Sequence, residues 1–490
     1  MIRLRSRTGA ALITATVLAS MAGFLDASVV NVAIPAIGRD LQAGVVALQW
    51  TVAGYLLTAA ALLLVAGALA DRFGRRRVLI AGLAVMLVAS VLCSAASSAG
   101  ELIAARVLQG VGAALVVPSS LALLNGTLSG ADRAPGIGIW AGLSSLGGLL
   151  IGPFAGGWLV DHVSWRAIFL LNIPLILAAL LALIPVPEAA HPTEGRLSID
   201  TAGALLAVLG LGGLIDALTT GSVEGWTSPR VIAGLTVGIV CLAALVPVER
   251  RVRQPMLKLS LFGSRQFSAI NLATVLFYGA LAAAGYLLVL RCELTLGWSA
   301  TRAGSVQIPA SAVFLALSPV SGVLVRRVGP RLLMTAGIAA VGLAFLWLAI
   351  VRGGYAGAIL PAVLLWGVGL GLTVTPLTAA VLAAVGDGDL GEASAISDVA
   401  SRLGGAVLTA LVPVLIGVQA GRGLGPALTD GYRPAMIVLA ALCGVAAVIA
   451  AVYVRAGQPV ASSPIRFAPP APFHGCAPVR TVVRPSEVSS

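Results

Sequence analysis

The chain has 490 residues, of which 59% are hydrophobic and only 10% charged. Soluble domains carry about 25% charged and about 45–50% apolar residues, so a water-soluble fold is excluded, and soluble enzyme folds go with it. The net charge of +12 raises nucleic acid as a partner, but no basic face or interleaved aromatic pattern accompanies it, and membrane topology accounts for the excess instead.

What remains is an all-α polytopic membrane protein. Apolar runs of roughly 20 residues recur from end to end, without the period-2 alternation of a membrane barrel. The first run follows Arg3, Arg5 and Arg7 and imitates a secretory signal peptide. It continues past Asp26 to Pro35 without a stop and reads as the first span. In chain order, spans are expected over 10–34, 47–70, 78–97, 101–126, 136–160, 166–185, 200–219, 230–248, 266–290, 302–325, 331–351, 357–383, 391–419 and 432–454, fourteen in all. Each is helical because a backbone in lipid must satisfy its own hydrogen bonds.

An even count puts both termini on one side, and the positive-inside rule selects that side. With a cytoplasmic N-terminus over 1–9, the inner segments hold 21 of the 31 basic residues and the outer segments 8. The tail over 455–490, rich in Pro, Ser and Val without a sustained period, is expected to be disordered. The five cysteines show neither CxxC nor metal-ligand spacing. The three histidines lie in loops or the tail, and no GxxxxGK[ST] segment supports direct use of ATP.

An internal echo divides the chain. Gly67-Ala-Leu-Ala-Asp71-Arg72-Phe-Gly74-Arg75-Arg76 returns 255 positions later as Gly322-Val-Leu-Val-Arg326-Arg-Val-Gly329-Pro-Arg331. Two related six-helix bundles, 10–185 and 266–454, with two extra central helices over 200–248, follow from that repeat. Transporters built from parallel repeats place their site at the interface between the halves.

Five segments carry a family resemblance. Leu25-Asp-Ala-Ser-Val-Val-Asn-Val-Ala-Ile-Pro35 falls in the first span and Gly67–Leu79 in the loop after the second; Leu102-Ile-Ala-Ala-Arg106-Val-Leu-Gln109-Gly110 lies in the fourth. Gly148-Leu-Leu-Ile-Gly152-Pro153-Phe-Ala-Gly156-Gly157 lies in the fifth, and Trp165-Arg-Ala-Ile-Phe-Leu-Leu-Asn172-Ile-Pro174 opens the sixth. In this order they resemble the motifs of the major facilitator superfamily, specifically its fourteen-span drug:proton antiporter branch, over roughly residues 10–455. The resemblance implies export of drugs, antibiotics or related amphipathic small molecules in exchange for protons, by a monomer in a bacterial inner membrane. The proton gradient, and no cofactor, supplies the energy.

Among candidate site residues Asp26 stands first. A carboxylate inside a span costs about 2.5–3.5 kcal/mol on insertion scales, so it faces a cavity or a partner and marks a proton or ligand route. Its candidate partner is Arg106: the two lie about 13 Å and about 10 Å below the outer ends of spans one and four at 1.5 Å per residue. A static pair that only fixes helix packing is the alternative. Gly67, Asp71, Arg72, Gly74, Arg75 and Arg76 form a candidate conformational latch, in which Gly74 permits a tight turn; the arginines also set topology. Gly148, Gly152, Gly156 and Gly157 recur at about one turn and give a smooth face for close approach, while Pro153 bends the helix. The resemblance implies that this bend seals the antiporter against leakage, and ordinary small-residue packing gives the same spacing. Asp398 and Arg402, four residues apart on one helical face, either recognise a polar or charged cargo or neutralise each other. Two rival functions stand beside export: a symporter importing a small nutrient, against which the Gly152-Pro153 signature argues, and a membrane sensor that no longer transports.

Overall fold

The computed structural model describes residues 2–188, 200–252, 257–351, 353–386, 389–419 and 424–455. The tail expected to be disordered therefore lies, beyond Arg455, outside the described residues, as does most of the polar stretch around His191. The fold is all-α, with one isolated bridge between Ile2 and Leu128 among the described residues. In chain order the helices are α1 Arg7–Val29, α2 Ile34–Asp40, α3 Val45–Ala61, α4 Leu63–Phe73, α5 Arg75–Ala95, α6 Ala99–Thr127, α7 Gly130–Leu146, α8 Gly152–His162, α9 Ala167–Leu170 and α10 Asn172–Leu183. They continue as α11 Thr201–Glu224, α12 Pro229–Arg251, α13 Arg265–Leu290, α14 Ala300–Ser305, α15 Ile308–Val328, α16 Pro330–Ile350, α17 Leu360–Leu382, α18 Leu390–Ala410, α19 Val412–Leu415 and α20 Leu424–Tyr453.

Among the described residues, 11 helices are long and apolar enough to cross a membrane, and α3 with α4, bent by 47°, makes a twelfth if it is one span. Two of the fourteen expected spans fall outside that description. The sixth is the shorter apolar helix Ala167–Leu183, and the thirteenth, α18, carries Glu392, Asp398 and Arg402. Other boundaries differ from expectation as well. The second span breaks at Leu62, where no Pro or Gly marks the site. The fifth passes through a π-turn over Gly147–Ile151, just before Pro153. The last helix begins at Leu424 rather than 432, so Asp430 sits inside it.

Packing sorts the helices into neighbourhoods. α1 packs on α6, α7 and α10, with α5 and α3 on α6; α13, α15, α16, α17, α18 and α20 pack among themselves. α11 and α12 pair with each other, α11 also leans on α3, and α12 turns most of its surface outward. The internal echo is visible in the backbone: Gly74, at φ +100°, joins α4 to α5, and Gly329, at φ +80°, joins α15 to α16. Only glycine takes such angles at little cost. These turns mark an arginine-rich end of the molecule. Lys258 also lies there, and its hydrogen bond to Asp389 at 2.5 Å, with Glu392 at 3.5 Å, holds its ammonium above the usual lysine range.

Toward the opposite end the two groups of six meet tightly. An added Cβ on Gly157 of α8 would strike the Ala300 carbonyl, and one on Gly304 of α14 would strike the Pro153 carbonyl. Asp161, at the end of α8, accepts hydrogen bonds from the backbone of Ala300 (3.0 Å) and Thr301 (2.8 Å) and from the Thr301 hydroxyl (2.6 Å). It thereby caps the first turn of α14 across the divide, where N-terminal amides seek an acceptor. Ser311 donates to the Leu149 carbonyl at 3.0 Å, and Gln49 to the Tyr286 hydroxyl at 3.4 Å. Gly157→Leu is expected to open this contact, since overpacking costs about 1–3 kcal/mol. A cysteine reporter at Thr301 should then react faster with an impermeant maleimide; an unchanged rate would show that the glycine does not govern closure.

Candidate functional site

The site grows from polar residues that three apolar helices carry inward. Asp26 on α1, Arg106 and Gln109 on α6, and Asn172 at the start of α10 are all buried, with exposures of 0%, 1%, 0% and 0%. Arg106 donates to Asp26 Oδ2 at 2.6 Å. Asp26 Oδ1 accepts from Gln109 Nε2 at 2.8 Å and from Asn172 Nδ2 at 2.7 Å. Every contact of this carboxyl is one that a carboxylate accepts, which suits the charged form. Charge-assisted hydrogen bonds of this length are the strong ones.

A second layer holds the cation. Arg106 Nε donates to the Thr51 carbonyl at 3.0 Å and NH1 to Gln109 Oε1 at 2.8 Å, so α3 and α6 fix the guanidinium together. The Tyr55 ring lies 4.4 Å from the guanidinium carbon and the Phe169 ring 5.9 Å from it. Aromatic faces at this range stabilise a desolvated cation. Tyr55 itself donates to the Gly23 carbonyl at 2.8 Å, and Gln109 also donates to Ser90 at 3.0 Å. Asn172 Oδ1 has no hydrogen-bond partner among the described residues.

The structure thus brings Asp26 and Arg106 together. Gln109 and Asn172 enter the site although sequence reading had placed them only inside motifs. The available signal for Gln109 was its spacing of three from Arg106, which puts both on one helical face. For Asn172 it was a polar side chain in an apolar run.

The candidate latch is bonded within its own half. Arg75 donates to the Ala122 carbonyl at 3.0 Å and pairs with Asp71 at 3.3 Å, while Arg76 donates to the Leu183 carbonyl at 3.1 and 3.2 Å. The Arg76 amide donates to Glu188 at 2.8 Å, Arg72 lies over the Phe73 ring, and Gly67 is half-buried in α4. Of the glycine face, Gly148, Gly152 and Gly156 abut Phe24, Ser28 and Val29 of α1, and Gly157 alone turns toward α14. Asp398 and Arg402 form no ion pair among the described residues, although Arg402 lies within electrostatic range of Asp398.

With this geometry in view, the comparisons define the class. The Major Facilitator Superfamily pattern matches residues 16–409, and the chain belongs to that superfamily. It is a multi-pass membrane transporter and not an enzyme. It is 35% identical to the multidrug resistance protein Stp of Mycobacterium tuberculosis over 408 residues, covering 82% of this chain and 75% of that one. It is 34% identical to the cephamycin export protein CmcT of Amycolatopsis lactamdurans over 471 residues, covering 94% and 95%. A crystal structure of a peptide transporter POT shares the fold, with a TM-score of 0.69 at 15% identity over 93% of this chain and 98% of that one.

Removing one member of a buried ion pair strands the other charge and costs about 3–5 kcal/mol. Arg106→Ala is therefore expected to lower the melting temperature of the purified protein steeply, and Asp26→Asn combined with Arg106→Ala to lower it less than the two single losses summed. Additive losses in that double-mutant cycle would show that the pair is not coupled.

Proposed function

We propose that the chain exports drugs, antibiotics or related amphipathic small molecules across the bacterial cell membrane in exchange for protons. The observation that carries this reading is the sealed carboxylate Asp26, held by Arg106, Gln109 and Asn172 from two other helices of one bundle. The relatives named for multidrug resistance and cephamycin export support the choice of cargo class and direction. The basic-residue bias supports placing the arginine-rich end, with both termini, in the cytoplasm. A monomer suffices, since the site is complete within one chain.

The exchange runs by alternating access. In the conformer described, α8 and α14 close the outer end and Asp26 accepts donors on both oxygens. When the bundles tilt and the outer end opens, a proton enters and takes the lone pair of Oδ2 that no donor occupies. The acid is then neutral, and Arg106 loses its counter-ion. Cargo leaves in that outward-open state as the proton arrives, and return to the inward state releases the proton into the cytoplasm and admits the next cargo. Each charge crossing supplies about 2.3 kcal/mol per 100 mV, with no cofactor required.

The test is exchange in proteoliposomes. Asp26→Asn is expected to abolish substrate-driven proton movement, at least tenfold, while passive equilibration of substrate persists. Full coupling in that variant would remove Asp26 from the mechanism.

A further inference from the structure

We propose that Asp398 anchors a cargo subsite for an ammonium group, in a pocket shared by α13, α17 and α18. The proposal rests on the exporter reading and names the chemistry of its cargo. Three observations carry it.

First, Asp398 lies eight residues into α18, about 12 Å from the arginine-rich end at 1.5 Å per residue, yet it is exposed. An acid at that depth in an otherwise apolar fold faces an aqueous cleft rather than lipid. The contacts that close the molecule sit toward the other end, so the cleft is reached from the arginine-rich side.

Second, no hydrogen bond or ion pair among the described residues occupies the carboxylate. Arg402, one turn further on, lies within electrostatic range of both Asp398 and Tyr55 of α3 but bonds neither. Among the described residues no side chain donates to Asp398. This is the reverse of Asp26, where three donors converge.

Third, the pocket around Asp398 is rich in acceptors. Its lining includes Thr274, Tyr278, Thr378, Ser397 and Ser401. Thr274 donates its hydroxyl proton to the Ile270 carbonyl at 2.8 Å, Thr378 to Val374 at 3.2 Å, and Ser401 to the Asp398 carbonyl at 2.8 Å. With their protons spent on their own helices, the hydroxyls of Thr274, Thr378 and Ser401 present lone pairs, while those of Tyr278, Ser394 and Ser397 keep a proton to turn either way. A carboxylate among accepting oxygens selects a group with several N–H donors and a positive charge, which describes an ammonium. The Tyr278 side chain adds an aromatic surface of the kind that favours cations.

The experiment uses the full-length protein in proteoliposomes and nanodiscs with two fluorescent probes: daunorubicin, a polycycle bearing one amine, and its N-acetyl derivative, which lacks the charge. Wild type is expected to bind daunorubicin at least tenfold more tightly than the N-acetyl derivative. Asp398→Asn should reduce daunorubicin affinity to that of the derivative, while Asp398→Glu keeps part of the preference. Thr378→Val, which removes an accepting oxygen and keeps the shape, should weaken daunorubicin a few-fold. Equal binding of the two probes by wild type overturns the proposal, as does an equal loss of both probes in Asp398→Asn. Proton-linked flux of the N-acetyl derivative alone would overturn the amine subsite and leave the exporter reading standing. Absence of proton-linked flux with either probe would take down both.

Discussion

The Asp26–Arg106 pair constrains the whole N-terminal bundle. Each charge taken from water costs several kcal/mol even after relaxation, and mutual attraction offsets this only when the remaining hydrogen-bonding capacity is also met. The structure meets it from three helices: Gln109 from α6 beside the arginine, Asn172 from α10, and the Thr51 carbonyl and Tyr55 ring from α3. Moving any of these helices independently would expose an unpaired group to an apolar interior. The bundle therefore moves as a body, which is what a rocking transporter requires of each half.

Rigid bodies need a contact that can part, and backbone approach supplies it. The α8–α14 junction has little side-chain interdigitation at Gly157 and Gly304; carbonyls face the bare Cα atoms, and Asp161 reaches across to cap a helix start. Hydrogen bonds to a carboxylate at a helix start are replaceable by water once the gap opens. A junction of interlocked large side chains would have to unpack a core to part, whereas this one exchanges a few polar contacts for hydrated ones. The glycine spacing was legible as a smooth face, but three of its four glycines serve α1 inside the same bundle. Which one turns to the other half depends on helix rotation, which spacing alone does not determine.

The same division between legible and hidden runs through the molecule. Apolar runs of membrane length follow from hydrocarbon thickness and were readable for that reason. Asp26 and Arg106 could be matched by depth because rise per residue is constant along a helix. The break at Leu62 has no Pro or Gly to announce it, and the early start of α20 falls in a stretch whose Gly and charged residues read as a loop. Gln109 and Asn172 were visible as polar residues, but their convergence on Asp26 needs the packing of α10 against α1. Asp398 and Arg402 looked like a self-neutralising pair from spacing. Among the described residues the two form no ion pair, and Arg402 stays within electrostatic range of Asp398; the side-chain rotamers that decide between contact and mere proximity are not set by a spacing of four.

Asp26 and Asp398 are two intramembrane acids placed in opposite circumstances. The first is enclosed and hydrogen-bonded on both oxygens; the second is exposed and, among the described residues, accepts no side-chain hydrogen bond. One carboxylate serving both proton and cationic cargo would have to exclude one to hold the other, which couples them by direct competition. Two acids in separate bundles must instead be coupled through structure, and α3 packs against the helices that carry Arg106 and Asp398. Its Thr51 and Tyr55 hold Arg106 on one side, while Tyr55 lies within electrostatic range of Arg402 and α3 packs along α18 on the other. Charge added or removed at Asp26 alters what Arg106 asks of α3, and α3 cannot shift without changing its contact with the helix that carries Asp398.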